Sequence, residues 1–218
     1  MTEGAGYYSR SPFLSALIII FIASDNLAAQ FICYTICAIR LSPGKGKPVM
    51  QKLFDAYLDI ETTGLSFACN DITVIGIYLH NGEEERFIQL YGEHVNTANL
   101  MNVMDGVHTI YTYNGSRFDI PFIHGFLGVN LEASFRHIDL MYDCWKHNLR
   151  GGFKAVEKML GINRETEGIR GYDAIILWDK YENHDDMDAL SLLLKYNKED
   201  VVNLKILREK LAELQQSC

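Results

Sequence analysis

The chain has 218 residues, 48% hydrophobic and 22% charged, with 20 Lys and Arg against 28 Asp and Glu for a net charge of −8. That length suits one domain with a full-sized core, with room for an appendage, and the composition is that of an ordinary globular protein. The acidic balance argues against a protein that grips nucleic acid by bulk electrostatics, so work on a polyanion requires a metal or a local basic groove.

The charge is uneven. Residues 1–49 hold four Lys and Arg against two Asp and Glu, which leaves 16 against 26 in residues 50–218. The five cysteines (Cys33, Cys37, Cys69, Cys144 and Cys218) are odd in number and lack paired C-x-x-C spacing. Reduced thiols in a cytoplasmic protein are the expectation, rather than a zinc site or a disulfide framework.

In chain order, an apolar run from Phe13 to Ala23 is followed by Asp25 and Asn26, and a second run spans Phe31 to Ile39. The first is shorter than the roughly 20 residues of a membrane span and has the length of a signal-peptide core. Our preferred reading makes residues 1–49 a hydrophobic extension outside the fold, joined by the Gly/Lys/Pro loop at 42–48. A membrane tether through residues 13–39 comes second, and no stable membrane insertion is expected.

From Leu53 to Leu58 the apolar run reads as a buried strand carried into Asp59-Ile-Glu61, with Thr62-Thr63-Gly64-Leu65 breaking it. Alternation puts Asp59 and Glu61 on one face, about 7 Å apart along the strand, where their repulsion calls for a cation. Clustered oxygen ligands suit Mg2+ or Mn2+. The β-branched run Ile72 to His80, the Asn81-Gly82 turn and the strand resuming at Arg86 predict a three-stranded antiparallel meander. A short helix is predicted from Asn99 to Met104, then a fourth strand from Val107 to Tyr113.

Asn114-Gly-Ser-Arg-Phe118-Asp119 follows and leads a helix to Phe126 or Leu127. A fifth strand includes His137-Ile-Asp139, and helices are predicted over Leu140 to His147, Phe153 to Leu160, Tyr172 to Tyr181 and Met187 to Leu214. The whole reads as an α/β fold with a mixed sheet, three antiparallel strands then two parallel, flanked by helices. In such a sheet the fourth strand lies beside the first, so Asp119 can reach Asp59 and Glu61. Asp119 also has a local explanation as a first-turn acid on a helix dipole, and Asn114 one as a turn residue. Tyr196-Asn197-Lys198-Glu199-Asp200 fits a helix start with Asn197 as N-cap and Asp200 at N3. The four-residue spacing also brings Tyr196 and Asp200 together.

D-x-E on a first strand, N-x-x-x-F-D after a fourth and Y-x-x-x-D on a C-terminal helix occur in that order. This arrangement resembles the DEDD superfamily of 3′–5′ exonucleases on the ribonuclease-H-like fold. Tyr196 points to the tyrosine branch, DEDDy, shared with polymerase proofreading domains. The likeness is closest to YprB-type domains. His137-Ile-Asp-Leu-Met141, Lys154-Ala-Val-Glu157 with Leu160-Gly161-Ile162, and Tyr196 to Val202 also resemble that family. The resemblance covers residues 53–212 and has no counterpart for residues 1–49.

It implies a metal-dependent 3′–5′ exonuclease, a hydrolase of single-stranded DNA or RNA 3′ ends, with a protein partner delivering the end as a further expectation. It assigns Asp59, Glu61, Asp119 and Asp200 as ligands of two Mg2+ or Mn2+ ions, which sit about 3.5–4 Å apart in two-metal sites. Tyr196 would orient water, since a phenol near pKa 10 is a poor base. Thr62, Thr63, Gly64 and Leu65 would meet the terminal nucleotide, with Leu65 against the base or else in the core. Asn114 and Phe118 would support it, Lys154 or Arg117 would contact phosphate, and Asp139 would play a supporting part. The other readings are a non-catalytic nucleic-acid-binding or scaffold relative, and a ribonuclease-H-like endonuclease.

Overall fold

The computed structural model describes residues 53–216 and the two-residue strand Ile20–Phe21. The remainder of the apolar segments at 13–39, and with it most of the expectation for residues 1–49, lies outside the described residues. Among the described residues no helix is long and apolar enough to cross a membrane.

Among the described residues six strands form one mixed sheet: β1 (Ile20–Phe21), β2 (Phe54–Thr62), β3 (Ile72–His80), β4 (Glu85–Tyr91), β5 (Val107–Thr112) and β6 (Arg136–Asp139), in the order β1-β4-β3-β2-β5-β6. Strands β2, β3 and β4 are antiparallel neighbours, and β5 and β6 run parallel to β2, as the sequence pattern predicts. Strand β1 adds to the edge beyond β4, pairing Ile20 with Ile88 and Phe21 with Phe87.

Period-two alternation sorts β2 between two cores. Ala56, Leu58 and Ile60 enter one cluster with Ile75, Ile77, Leu100, Ile110, Phe122 and Ile123. That face is covered by α1 (Thr97–Val103), α2 (Asp119–Leu127) and α3 (Leu131–Ser134), the last a single turn capped by Asn130 that the sequence pattern does not predict. Tyr57 enters the opposite cluster with Tyr111, Leu140, Cys144, Val201, Leu204 and Leu207. There the cover is α4 (Leu140–Lys146), α5 (Phe153–Leu160) and the long α7 (Met187–Gln216). A third cluster joins α6 (Gly171–His184) to α7 and Val74 through Trp178, Leu193 and Tyr196. Asp59 and Glu61 share the Tyr57 face, so the helix they meet is α7.

Helix α7 also corrects a local expectation. It begins at Met187, where Asp186 Oδ1 accepts the Ala189 N–H at 3.0 Å, so Asn197 lies inside the helix and is not its N-cap. The segment from Met187 to Gln216 stays helical through Asn197 with apolar residues packed on both sides of it, Leu190, Leu193 and Tyr196 in one cluster and Val201, Leu204 and Leu207 in another. Asn197 itself is fully buried, and its amide is used across the sheet.

Candidate active site

Strand β2 brings two carboxylates to the site, and a β-bulge between Glu61 and Thr62 ends its regular pairing with β3. Asp59, Glu61 and Asp200 each offer an oxygen, and these oxygens lie within 4.8 Å of one another. Asp119 opens α2 on the neighbouring side, where its Oδ1 accepts the Ile60 backbone N–H at 3.1 Å. Asp119 is therefore tied to the strand that carries Asp59 and Glu61, and its charge acts on both.

Burial and mutual repulsion push these acids out of the usual carboxylate range. Asp59 is raised well above its ordinary value by burial first, then by Asp200, Glu61 and Asp119. Glu61 is raised by burial, Asp200 and Asp119. Asp119 is pushed up to about 7, mainly by burial, and Asp200 is also raised, although Arg164 opposes the shift. Glu61 Oε1 is buried with no hydrogen-bond partner among the described residues. An orphaned carboxylate oxygen facing other carboxylates is costly unless a cation takes it up. The all-oxygen donor set fits a hard divalent ion such as Mg2+ or Mn2+.

Tyr196 lies four residues before Asp200 on α7, buried to 6% exposure, with its phenol raised by burial and by Asp200, Glu61 and Asp59. Two cations flank its ring. Lys154 Nζ is 4.2 Å and the Arg164 guanidinium carbon 5.6 Å from the ring centroid. Lys154, on the first turn of α5, also donates to the Ile169 carbonyl. Arg117, the alternative phosphate contact, is exposed and lies over the Trp145 ring.

The turn after β2 is held by its own polar groups. Thr62 Oγ1 donates to the Gly64 carbonyl at 2.6 Å, Thr63 Oγ1 accepts the Asp71 N–H at 2.9 Å, and the Thr63 N–H donates to the Asp71 carbonyl at 3.0 Å. A Cβ on Gly64 would stand 2.3 Å from Asn70 Oδ1, so a larger residue there requires the Asn70 side chain to move. Leu65 is 86% exposed, which removes core packing as its role and leaves its side chain in solvent. Phe118 packs against the core and the Phe122 ring, 5.5 Å between centroids. Asn114 takes a left-handed backbone at φ 63°, and its N–H, with that of Ser116, donates to the Asp139 carboxylate at 2.8 and 3.1 Å. Asp139 also caps α4 by accepting the Met141 N–H at 3.1 Å.

Three features escape sequence reading. Arg164 joins Glu157 to Asp200 through Nη2 contacts of 2.8 and 2.5 Å, with Nε 3.1 Å from the second Glu157 oxygen. Asn203 adds a bond to Glu157 at 2.7 Å. Asn197 Nδ2 reaches Asp59 Oδ2 at 3.2 Å and its carbonyl at 3.3 Å, while its Oδ1 accepts from Gln89 at 2.9 Å. The third is a groove of about 330 Å3 beside Asp59, Tyr196 and Asp200, lined also by Tyr113, Phe153, Lys154 and Arg170. Glu157 was visible within a family-like block, but nothing in the chain pairs it with an arginine or links that arginine to Asp200.

A mixed sheet whose first long strand carries acids toward a C-terminal helix defines the ribonuclease-H-like class. A family model described as RNase_H superfamily matches residues 56–212, and the chain belongs to that superfamily. The family B DNA polymerase of Pyrobaculum calidifontis has a similar fold, with a TM-score of 0.56 and 17% identity, over 78% of this chain and 25% of the polymerase. The chain thus spans about a quarter of that protein's length. Brucella melitensis NrnC bound to pGG is similar at a TM-score of 0.52 and 17% identity, over 77% of this chain and 76% of NrnC. No curated protein matches the chain in sequence.

Proposed function

We propose that the protein is a metal-dependent 3′–5′ exonuclease of the tyrosine branch of the DEDD group, hydrolysing phosphodiester bonds at single-stranded nucleic-acid ends. One observation carries the reading. Asp59, Glu61 and Asp200 converge from β2 and α7, with Asp119 tied to Ile60 and Tyr196 buried against the same cluster. An NrnC holding pGG, on a similar fold, supports an oligonucleotide as the class of substrate.

Two divalent ions, Mg2+ or Mn2+, held by Asp59, Glu61, Asp119 and Asp200, would supply Lewis acidity and an activated water. The protein's own groups do the rest. Asn197 and Arg164 orient Asp59 and Asp200. Tyr196, its phenol raised, stays protonated through neutral pH and donates a hydrogen bond to water or phosphate instead of acting as base. Lys154 brings positive charge to a phosphate entering between the acids. The turn of Thr62, Thr63, Gly64 and Leu65 offers backbone groups and one exposed apolar side chain to a terminal nucleotide, with Asn114 and Phe118 holding the adjoining wall.

The test is cleavage of end-labelled single-stranded DNA and RNA with Mg2+, Mn2+ or EDTA, beside Asp200→Asn. A metal-dependent ladder that shortens from the 3′ end and vanishes in the variant is the expected result. Internal cuts would replace the reading with an endonuclease. Binding of ion and oligonucleotide with no cleavage would leave a non-catalytic relative.

A further inference from the structure

The groove beside the acids is lined by two chemically distinct kinds of group, aromatic rings and cations. Tyr113 and Phe153 stack with centroids 5.1 Å apart and planes 23° from parallel. Tyr113 Oη donates to the Gly151 carbonyl at 2.7 Å, which fixes that ring before any ligand arrives. Lys154, next to Phe153 on the first turn of α5, and Arg170 belong to the same lining. The Lys154 ammonium spends one of its three donors on the Ile169 carbonyl and keeps two. Gly152 and Gly171, where α5 and α6 begin, bring bare backbone to the lining. A volume of about 330 Å3 falls at the small end of ligand sites. The Thr62–Leu65 turn, Asn114 and Phe118 contribute nothing to it.

A fixed aromatic surface and two cations, next to carboxylates suited to divalent ions, match one ligand unit: a planar base joined to a phosphate. We propose that this groove seats one nucleotide adjoining the scissile phosphate, its base against the Tyr113–Phe153 pair and its phosphate between Lys154 and Arg170. The inference rests on the phosphodiesterase reading given above. Stacking accepts any base because every base has a π face, so the subsite does not select sequence. Two cations in the lining also offset locally the net charge of −8 that otherwise repels a polyanion.

The test uses the full chain and a short single-stranded oligonucleotide in three forms: intact, abasic at the 3′-terminal position, and abasic at the penultimate position. Wild type, Phe153→Ala and Phe153→Leu are compared, the leucine keeping the packing while removing the π face. Phe153→Leu is expected to lower kcat/KM about tenfold on the intact substrate, within the range for one lost base–aromatic stack. One abasic form should cost the wild type a similar factor, and that loss should not compound with Phe153→Leu. Which abasic form behaves so identifies the nucleotide seated. Arg170→Ala should raise KM and reduce the salt slope of binding by about 0.7, one phosphate contact on a single strand.

Losses that multiply for both abasic forms, or no loss in Phe153→Leu, overturn the subsite while leaving the exonuclease reading intact. If the wild type cleaves nothing with any divalent ion, that reading fails by itself. Fluorescence anisotropy of the same oligonucleotides, in Ca2+, then decides the groove. Weaker binding by Phe153→Leu to the intact form alone supports it, and equal binding overturns it.

Discussion

Arg164 Nη2 sits 2.5 Å from Asp200 Oδ1 and 2.8 Å from Glu157 Oε1, so one guanidinium clamps a site carboxylate to a second acid behind it. All three side chains are nearly inaccessible, at 6%, 8% and 3% exposure. Among the described residues no other donor reaches Asp200, and Oδ2 is the oxygen this clamp leaves for an ion. Removing one member of such a buried set leaves charge without compensation and costs about 3–5 kcal/mol.

Arg164→Met is therefore expected to lower stability by about that amount, read by thermal or urea unfolding. The double variant Glu157→Leu with Arg164→Met should recover much of the loss but not the activity. Arg164→Lys keeps the charge without the two-pronged fork. It should retain most of the stability while Mn2+ affinity, by calorimetry, and cleavage fall about 10–100-fold. Equal metal affinity in Arg164→Lys and wild type would reduce the clamp to a structural strut.

Asp119 separates chemistry from folding. Asp119→Asn preserves an acceptor for the Ile60 N–H but removes the charge, so cleavage should vanish with stability close to wild type. Asp119→Ala strands that buried amide and should cost a further ~1–3 kcal/mol. Full nuclease activity in either variant would show that the site is wrongly assigned.

Gly76 stands opposite Asp59 in the β2–β3 pairing, and a Cβ there would lie 2.2 Å from Asn197 Oδ1. Alanine at 76 must push Asn197 off Asp59 and Gln89, at a cost of about 1–3 kcal/mol for overpacking. Activity should drop along with stability in Gly76→Ala. In Asn197→Ala the strain is absent but the bonds to Asp59 are still lost, so activity should fall there too. Comparing kcat for the two variants checks the order of events.

In the ion-free protein the acids also set a pH dependence. Asp119 rises from the ordinary Asp value to about 7 in the fold, and Asp59, Glu61 and Asp200 are raised as well. Between the unfolded value near 4 and the folded value the native state holds more protons, so stability falls as pH rises through this window. Melting temperature in EDTA should decline from about pH 4 to pH 7. Saturating Mn2+ should reverse the trend near neutrality, because the ion binds the ionised carboxylates. A flat EDTA profile would mean the acids are not buried together.

We propose that residues 50–218 suffice for fold and site. Strand β1 pairs with β4 over two residues at the sheet edge, separated from β2 by β4 and β3. The shortened chain should melt near the full-length temperature and cleave equally. Loss of β1 would uncover the β4 edge, so a greater tendency to associate, seen by light scattering, is the expected side effect.

The sequence by itself determined the strand meander, the parallel return of β5 and β6, and the helical C-terminal half, because period-two and period-3.6 patterns follow from local geometry. It also picked out Asp59 and Glu61 by alternation on one strand, and Asp119, Tyr196 and Asp200 by their spacing within motifs. Asn197 misled in isolation, since a helix-start pattern is local while continuity of α7 depends on packing against β2 and β3. Only the tertiary structure decided the partners across long separations: Arg164 with Asp200, Asn197 with Asp59, and Tyr113 with Phe153. These contacts depend on how two helices and the loop between α5 and α6 settle over the sheet. That loop is pinned in part by Glu199, which accepts the Glu165 and Thr166 N–H groups at 2.6 and 3.0 Å. A one-dimensional pattern records which face a side chain leaves from; what it meets there is set by the packing of elements distant in the chain.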